Sequence, residues 1–360
     1  MNDSAQGRHG VAREDLEQVT RLIATSMYQW KSARILVTGA TGFFGSWLLE
    51  TFHHANQTLG LGAELVGIGS LADDFELRCP NLLGLDGVRL IKADIRQLGA
   101  QVTAQLPDWG QRIDAIIHAA IHVDNLTYDQ QPLSTLETGV LGVWEALELA
   151  RVAQVRRFLF VSSGAVYGSQ PSSTEYLYED HGAHLNSASH QAAYAEGKRI
   201  GETLCAGYLR EHGLPVTIAR PFAFVGPYLP LDRQFAIGNF LRDAFGGGPI
   251  IVQSDGTPVR SYLYAADLAV WLWTILGRGA LGRPYNVGSD KTYSIREVAE
   301  LVNSIASPGG RVEVRGTPAA GPASRYVPST LRARLELGLT ETVPLEDAIR
   351  RTVDWHRRYR

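Results

Sequence analysis

The amino-acid sequence predicts an α/β protein built around a doubly wound parallel sheet. Short apolar runs alternate with longer stretches of helical spacing from about residue 33 to residue 221, which is the pattern of successive β–α–β units. The run at 115–120 is continuous and apolar, as expected when helices cover both faces of a sheet. A glycine-rich turn directly follows the first run, at 38–45.

Length and composition are those of a soluble globular protein with a large core. The 360 residues suffice for one large or two modest domains, and 45% are hydrophobic and 20% charged. A formal net charge of −3 offers no general attraction to nucleic acid or to an acidic membrane. The two cysteines, Cys79 and Cys205, lack metal-ligand spacing and favour a reducing cytoplasm with no metal site. No apolar run reaches the length of a membrane span or a secretory signal.

An N-terminal extension, residues 1–32, precedes the first predicted strand. Apolar residues recur near helical spacing between Asp15 and Trp30, with charged residues between them. We expect this amphipathic helix to pack on its own subunit, since amphipathic surface helices are common. A helix that binds a partner is the alternative.

The main domain, residues 33–220, is predicted to contain six strands and two long helices. The strands lie at 35–37, 65–68, 88–91, 115–120, 158–161 and 216–219, and the helices at about 131–152 and 190–212. Loops rich in proline and glycine concentrate after residue 220. They predict a smaller C-terminal lobe formed by 221–258 and 281–360, with 259–280 returning to the main domain. Such a lobe would cover the carboxyl ends of the strands and leave a ligand cleft there.

The turn after the first strand, TGATGFFG, places glycines at three-residue intervals. Gly39 permits a sharp turn, Gly42 a close backbone approach and Gly45 close packing of helix on strand. A helix N-terminus carries unpaired N–H groups and a partial positive charge, so it can hold a pyrophosphate. The turn therefore predicts a dinucleotide site in a Rossmann-type sheet. The predicted cofactor contacts in this turn are Gly39, Thr41, Gly42, Phe43, Phe44 and Gly45.

Side chains suited to proton transfer follow the fifth strand. Ser163 lies at the end of that strand, and Tyr194 and Lys198 lie four residues apart on one face of the next helix. A phenol has a pKa of about 10, but a nearby ammonium and a cationic nicotinamide ring lower this pKa by favouring the phenolate. Tyr194 would then exchange a proton with a substrate hydroxyl while a nicotinamide exchanges hydride, and Ser163 would hold the same oxygen.

A series of ordered motifs resembles the extended short-chain dehydrogenases/reductases of the nucleotide-sugar epimerase/dehydratase type. The resemblance covers about residues 33–357 and implies a Rossmann-type domain with a smaller C-terminal substrate-binding lobe. The motifs are TGATGFFG at 38–45, Ala-Asp-Ile at 93–95, HAA at 118–120, SSGAVYG at 162–168, YAEGK at 194–198, ARPFAFVGP at 219–227, DGTPVRSYLYAAD at 255–267 and YNVGS at 285–289.

This resemblance implies roles for individual residues. Ser163, Tyr194 and Lys198 match the catalytic Ser–Tyr–Lys triad, and Tyr194 and Lys198 also contact the cofactor. Further implied cofactor contacts are Gly69, Ser70, Asp94, Ile95, Ala119 and Ala120. Implied substrate contacts are Ser163, Asn239, Arg260 and Arg325, and arginine suits a diphosphate because its planar fork makes paired charged hydrogen bonds. His122 joins them because loops after strands commonly carry function.

Two positions depart from the family's dehydrating members. Sugar 4,6-dehydratases of this type place Asp-Glu where this chain has Gly164 and Ala165, and UDP-glucuronate decarboxylases carry Glu at the place of Ala165. Elimination of water needs a base and an acid at the sugar. The sequence therefore argues against a 4,6-dehydratase and weakens decarboxylation.

The choice between NAD and NADP(H) depends on the residues at the end of the second strand. Members that use NAD end this strand with an Asp for the ribose 2′-hydroxyl, whereas here Gly69 and Ser70 follow Ile68. Loss of that carboxylate removes repulsion from a 2′-phosphate. The sequence leaves both NAD and NADP(H) open.

The predicted activity is NAD(P)-dependent hydride transfer at C4 of a nucleotide-activated hexose. Gly69 favours a 4-keto-sugar reductase with a dissociating cofactor, and a 4-epimerase with tightly bound NAD is the alternative. A non-catalytic NAD(P)-binding regulator is less favoured, because Tyr194 and Lys198 are both present. A carbonyl reductase that binds no nucleotide is less favoured because of Arg260 and the other predicted nucleotide contacts. The resemblance also implies a homodimer joined by the helices at 131–152 and 190–212.

Overall fold

The computed structural model describes residues 10–109, 112–121, 131–232, 235–317 and 321–358. The strands that it describes are β1 Arg34–Thr38, β2 Glu64–Gly69, β3 Val88–Lys92, β4 Ala115–His118, β5 Arg157–Val161, β6 Val216–Pro221, β7 Phe224–Val225, β8 Ile250–Val252, β9 Val259–Arg260, β10 Leu263–Tyr264, β11 Pro284–Val287, β12 Tyr293–Ser294, β13 Val312–Val314 and β14 Arg325–Tyr326. The helices are α1 Arg13–Met27, α2 Phe43–Leu59, α3 Phe75–Arg78, α4 Leu98–Gln105, α5 Pro132–Val152, α6 Ala193–His212, α7 Ala236–Phe245, α8 Ala265–Arg278, α9 Ile295–Ala306, α10 Leu331–Leu337 and α11 Leu345–Arg358.

Seven strands of the described chain form one sheet in the order β11-β6-β5-β4-β1-β2-β3. Every neighbouring pair in it is parallel, which confirms the doubly wound Rossmann-type prediction. The strand order reverses between β1 and β4, where such sheets bind their ligands. The seventh strand, Pro284–Val287, pairs with β6. The domain boundaries predicted from the sequence assign this segment to the smaller lobe. Its pairing with β6 and its buried apolar side chains instead make it an edge strand of the main sheet.

Apolar side chains of the central strands alternate between two cores. Ile35 and Val37 of β1 point to the core beneath α1, α2 and α8, whereas Leu36 points to the core beneath α4, α5 and α6. This alternation follows from the period of two in a strand. Because both faces of the central strands are buried, these strands appear in the sequence as continuous apolar runs.

The fourth strand is shorter than predicted. It ends at His118, because the next two residues turn their N–H groups to a side chain of β1. Ala119 N and Ala120 N both donate to Thr38 Oγ1, at 3.2 Å and 3.1 Å. Helix α6 likewise begins at Ala193, after a 3₁₀ turn at His190–Ala192.

The N-terminal helix packs on its own subunit, as expected from the amphipathic pattern between Asp15 and Trp30. Val19, Ile23 and Met27 are fully buried in the core shared with α2 and α8. Asp15 is also buried: its Oδ2 accepts a 2.6 Å hydrogen bond from the hydroxyl of Tyr264 and its Oδ1 pairs with Arg351. The extension is therefore tied to the end of β10 and to α11.

The smaller lobe lies over the carboxyl ends of the sheet. It contains a three-stranded sheet, β12-β9-β14, and a two-stranded sheet, β13-β8, with α7, α9 and α11 packed nearby. Because β9 belongs to this lobe, the segment 259–280 divides: its first two residues stay in the lobe and α8 returns to the main sheet. Among the described residues, none of the helices is long and apolar enough to cross a membrane.

We predict that Asp15→Ala lowers the free energy of unfolding by about 3 kcal/mol, because it leaves the buried hydroxyl of Tyr264 and the charge of Arg351 without their shared acceptor. Urea denaturation of the whole chain measures the change. Glu14→Ala, at an exposed neighbouring position, is the matched control and should change stability by less than about 0.5 kcal/mol. Equal effects at the two positions would show that α1 is not anchored through Asp15.

Candidate active site

A cleft of about 1560 Å³ lies between the carboxyl ends of the strands and the smaller lobe. Its floor is formed by the glycine turn, the ends of β2, β4 and β5, and one face of α6. Residues of the lobe form its roof. The predicted site residues in its lining are Gly39, Thr41, Gly42, Phe43, Phe44, Gly69, Ser70, Asp94, Ile95, Ala119, Ala120, Ser163, Tyr194, Lys198, Asn239 and Arg260.

Two glycines of the turn, Gly39 and Gly45, have no room for a side chain. Gly39 has φ +73°, and a Cβ there would lie 2.9 Å from the backbone of Ala119. Gly42 is the N-cap of α2. Gly45 is outside the lining, and a Cβ on it would lie 2.5 Å from Ala40 Cα, so its role is the packing of α2 on the turn. The turn thus presents bare backbone at a helix N-terminus, which suits the diphosphate of a dinucleotide.

His118 is a buried core residue, as its apolar strand predicts. Its Nδ1 lies 3.0 Å from Thr38 Oγ1. That oxygen already accepts two N–H bonds, so Thr38 donates its own proton and His118 Nδ1 accepts it. Burial, followed by the charge of Lys198, lowers the pKa of His118 to about 3. The ring is therefore neutral and unsuited to acid–base work near pH 7.

Asp73 supplies the carboxylate that the end of β2 lacks, and the sequence analysis missed it. Its Oδ2 accepts a 2.8 Å hydrogen bond from Ser70 N and another from the hydroxyl of Thr41. A Cβ at Gly69 would lie 2.9 Å from this same oxygen and 2.5 Å from Phe75 Cε1. Asp73 and Phe75 therefore fill the space beside the strand end, and Asp73 lines the cleft. The available signal was the acidic pair in the LADDF segment that follows Ser70.

Asp94 is held at the end of β3 by its neighbour Arg96. The two side chains form an ion pair at 2.6 Å, and Asp94 also caps the short 3₁₀ turn after the strand. The hydrogen bond from Arg96 lowers the pKa of this carboxyl. Arg96 lines the same part of the cleft and was not among the predicted residues.

Ser163, Tyr194 and Lys198 meet at the floor of the cleft. Ser163 follows β5, and its side chain is hydrogen-bonded to the phenol of Tyr194. Burial raises the pKa of Tyr194, and the bond to Ser163 opposes that rise because it favours the phenolate. Lys198 Nζ donates a 2.6 Å hydrogen bond to Val161 O, and burial lowers its pKa to about 7.

A partly buried ion pair, which does not itself line the cleft, supports this floor. Arg220 Nη2 and Glu202 Oε2 are 2.7 Å apart, and Ser162 donates a 2.6 Å hydrogen bond to Glu202. Glu202 also raises the pKa of Lys198, against the effect of burial. Ser162 and Arg220 lie within the SSGAVYG and ARPFAFVGP motifs, but Glu202, which joins them, lies outside these motifs and is recognised only from its spatial neighbours.

The predicted substrate contacts differ in where the structure places them. Asn239 and Arg260 line the lobe side of the cleft, where burial lowers the pKa of Arg260. Arg242 lies beside Asn239, donates to its Oδ1 at 2.9 Å and lines the cleft as an additional cation. Arg325 does not line the cleft, although the next residue of β14 does. His122 lies outside the described residues.

We predict a pH-dependent gain in stability for Lys198→Met. The folded-state pKa of about 7 lies below the unfolded-state value of about 10.4. Below pH 7 the wild type bears the full cost of a buried charge, and its stability then rises with pH because the unfolded chain binds the extra proton. In urea denaturation, Lys198→Met should be more stable at pH 6, with an advantage about 3 kcal/mol smaller at pH 9.

The exposed Lys31 provides the control, because Lys31→Met removes a lysine without removing a buried charge. A difference between wild type and Lys198→Met that stays constant from pH 6 to pH 9 would mean that Lys198 is not held in a charge-destabilising site.

Comparison with known proteins places this site in a family. A sequence model of the NAD dependent epimerase/dehydratase family matches residues 35–288. UDP-glucuronic acid decarboxylase 1 of Xenopus tropicalis is 28% identical over 328 residues, which cover 90% of this chain and 72% of the relative.

Solved structures agree with the fold. DesIV, a dTDP-glucose 4,6-dehydratase from Streptomyces venezuelae solved with NAD, matches with a TM-score of 0.75 and 26% identity over 90% of this chain and 97% of its own. UDP-glucose 4-epimerase from Thermus thermophilus, solved in complex with NAD, also gives a TM-score of 0.75 and 26% identity, covering 90% and 99%. The family match spans more than half of the chain and includes the glycine turn and the Ser–Tyr–Lys residues, so this protein belongs to the NAD-dependent epimerase/dehydratase family.

Proposed function

We propose that this protein transfers hydride between bound NAD and C4 of a nucleotide-activated hexose. The observation that carries the proposal is the joint placement of Ser163, Tyr194 and Lys198 on the floor of a cleft that also contains the bare glycine turn. The chain fits a dinucleotide, with backbone at a helix N-terminus for the diphosphate and carboxylates at one end of the cleft. Bound NAD would supply a hydride acceptor.

Tyr194 is the residue that moves the proton in this proposal. Its phenolate form accepts the proton of the substrate's C4 hydroxyl as that carbon is oxidised, and returns it when the carbon is reduced. Lys198, one helical turn away, favours the phenolate when it is charged. Ser163 positions the same oxygen by a hydrogen bond.

Cations on the lobe side of the cleft support a nucleotide diphosphate as the activating group. Arg260 and Arg242 both line this side, and guanidinium groups bind phosphate oxygens through paired charged hydrogen bonds. Asn239 lies beside Arg242 and adds an amide. A carbonyl substrate without a phosphate would give these two cations no negative charge to bind.

The carboxylate of Asp73 favours 4-epimerisation over 4-keto-sugar reduction. The sequence favoured a reductase with a dissociating cofactor because β2 ends without an acidic residue. Asp73 restores a negative charge beside that strand end, which disfavours a 2′-phosphate and suits NAD. We therefore propose redox-neutral 4-epimerisation with retained NAD as the reaction, and 4-keto-sugar reduction as the second candidate.

Dehydration and decarboxylation receive no support from the residues after Ser163. Gly164 and Ala165 bring no carboxylate to the cleft, although Ala165 lines it. The decarboxylase relatives still make UDP-glucuronate a necessary test substrate. Release of carbon dioxide from it would contradict the proposed reaction.

We further propose a homodimer joined through α5 and α6. These two helices pack against each other and carry large apolar side chains that are exposed in the single chain. They are Leu133, Leu141, Trp144, Val152 and Ile200. Light scattering of the purified protein would measure the mass in solution.

We predict that Tyr194→Phe lowers the turnover of the responding nucleotide hexose by about 10²- to 10⁴-fold, because general acid–base catalysis is lost. The assay incubates the purified protein with UDP-, dTDP-, GDP- and CDP-hexoses and separates the products by chromatography. NAD(H) released from the denatured protein is measured in parallel. Redox-neutral turnover with retained NAD supports the epimerase, whereas stoichiometric consumption of NAD(P)H supports the reductase.

Tyr208→Phe is the matched control, because Tyr208 lies on the same helix and bonds Glu148 instead of facing the cleft. Unchanged turnover in Tyr194→Phe would show that Tyr194 is not the acid–base group. Absence of turnover of every nucleotide hexose in the wild type would favour a non-catalytic nucleotide-binding regulator.

We predict that Asp73→Asn shifts the ratio of dissociation constants towards NADP⁺ by about tenfold or more, since it removes a negative charge near the ribose 2′ position. Calorimetric titration of each cofactor into the cofactor-stripped protein measures both constants. Asp74→Asn, at the exposed next residue, is the control. An unchanged ratio in Asp73→Asn would show that this carboxylate does not select the cofactor.

A further inference from the structure

A buried carboxylate joins the N-terminal extension to the wall of the cleft. Glu50, on α2, is buried, and donors from three other segments point at its two oxygens. Val11 N donates to Oε2 at 2.8 Å. Asn81 Nδ2 donates to Oε1 at 2.9 Å, and the hydroxyl of Tyr228 donates to the same oxygen. Asn81 Nδ2 also donates to the Tyr228 oxygen at 2.8 Å, which leaves the phenolic proton for Glu50.

The same part of the extension is held from its other side by Trp355 of α11. Trp355 Nε1 donates to Gly10 O at 3.0 Å, and its ring packs against that of Tyr228, with centroids 5.0 Å apart at 64°. The peptide between Gly10 and Val11 thus bridges Glu50 and Trp355, and both of these residues contact Tyr228. The extension closes a ring of contacts around this tyrosine.

Tyr228 depends on these contacts because its backbone is in the left-handed region. Its φ is +71°, a conformation that residues with a Cβ disfavour. The surrounding contacts therefore have to hold it there. Because Tyr228 lines the cleft, loss of its hydrogen bond to Glu50 frees part of the cleft wall to move.

The other segments that Glu50 joins also carry groups of the cleft lining. Its helix begins at the glycine turn, and Asn81 follows the loop that carries Asp73. The turn and Asp73 both line the cleft. One carboxylate thus connects the extension with the glycine turn, the loop after β2 and the smaller lobe, and the relative positions of these parts determine how well a dinucleotide fits.

We propose that Glu50 is a positioning residue for dinucleotide binding: its carboxylate ties the N-terminal extension, the loop after β2 and Tyr228 together at the cleft, and its protonation loosens them. A proton on Glu50 adds a fourth donor to a group that already has three, and it removes the charge that strengthens their bonds. The deprotonated protein therefore binds NAD more tightly. The inference needs only a cleft that binds NAD and is independent of the reaction proposed above.

The Glu50 carboxyl titrates in an accessible range. Burial raises its pKa to about 7, against the hydrogen bonds from Tyr228, Val11 and Asn81. Inward-facing titratable side chains on the surrounding α1, α2, α8, α11 and the loop after β2 include Asp15, His54, Cys79, Asp267, Arg351 and His356. The two histidines titrate closest to the same range, so each is removed in a control.

The test measures the pKa of Glu50 directly, by ¹³C NMR of the full chain labelled at glutamate Cδ, with and without saturating NAD. The Glu50 signal is assigned from its loss in Glu50→Gln or from its shift in Tyr228→Phe. NAD should lower this pKa by about 0.7 units or more, the value that linkage gives for a fivefold difference in affinity between the two states. NAD has a net negative charge, which by itself would raise the pKa, so a fall is specific for the proposed coupling.

Calorimetric titration of NAD into the cofactor-stripped protein measures the same coupling from the other side. The ratio of the dissociation constants at pH 6 and pH 8.5 should be about three- to fivefold larger in the wild type than in Glu50→Gln, whose neutral side chain resembles the protonated state at both values. This comparison removes the contribution of Lys198, which both proteins contain. His54→Gln and His356→Gln should keep the wild-type ratio.

Two variants test the contacts on either side of Glu50. Tyr228→Phe keeps the ring and removes the hydroxyl, and Trp355→Phe keeps a ring against Tyr228 and removes the donor to Gly10. Each should weaken NAD binding at pH 8.5 by about threefold or more and reduce the NAD-induced change in the Glu50 pKa. Tyr285→Phe is the matched control, because the hydroxyl of Tyr285 also donates to a glutamate, Glu336, at 2.8 Å.

Two results would overturn the inference. They are a Glu50 pKa that NAD leaves unchanged or raises, and an NAD affinity that Tyr228→Phe and Trp355→Phe leave at the wild-type value. If Glu50→Gln does not fold, these two variants still decide the question. None of the measurements needs a substrate, so the expected shifts without turnover of any nucleotide hexose would support the role of Glu50 and count against the proposed function alone.

Discussion

The hydroxyl of Thr38 is the contact on which the cleft depends. It bridges the ends of the two strands at which the sheet reverses its order, by accepting from Ala119 N and Ala120 N. Those N–H groups lie where β4 ends, and leaving them without an acceptor would cost the full desolvation of two backbone donors. The bridge also brings the glycine turn against the end of β4, which is why Gly39 has no space for a Cβ. The position of the cleft floor follows from this one side chain.

Two glycines, one lining the cleft and one next to residues that line it, share a pattern. At Gly69 the space beside the backbone is filled by Asp73, and at Gly164 by Tyr326. In each case a polar group of another residue stands where a side chain would otherwise extend. The first replacement bears on which cofactor fits. A motif position that lacks its usual side chain can therefore still have a polar group beside it in the folded protein.

The buried ammonium on the floor of the cleft lowers the free energy of unfolding. Lys198 is almost completely buried, and its ammonium is compensated by a backbone carbonyl and by the nearby Glu202 instead of by solvent. Sites that need a perturbed pKa are commonly less stable than an apolar alternative would be. The large apolar cores on both faces of the sheet, with α1 fixed to one of them, provide the rigidity that holds this charge in place.

The sequence by itself determined the sheet, the glycine turn and the Ser163, Tyr194 and Lys198 positions. Those features depend on local rules: a period of two in strands, glycine at a tight turn, and four-residue spacing along a helix. Only the tertiary structure decided that Pro284–Val287 completes the main sheet, that the Asp73 carboxylate lies beside the end of β2, and that the Tyr326 hydroxyl lies beside Gly164. The first and the third bring together segments that are far apart in the sequence. The second depends on how the loop after β2 turns back onto the end of that strand.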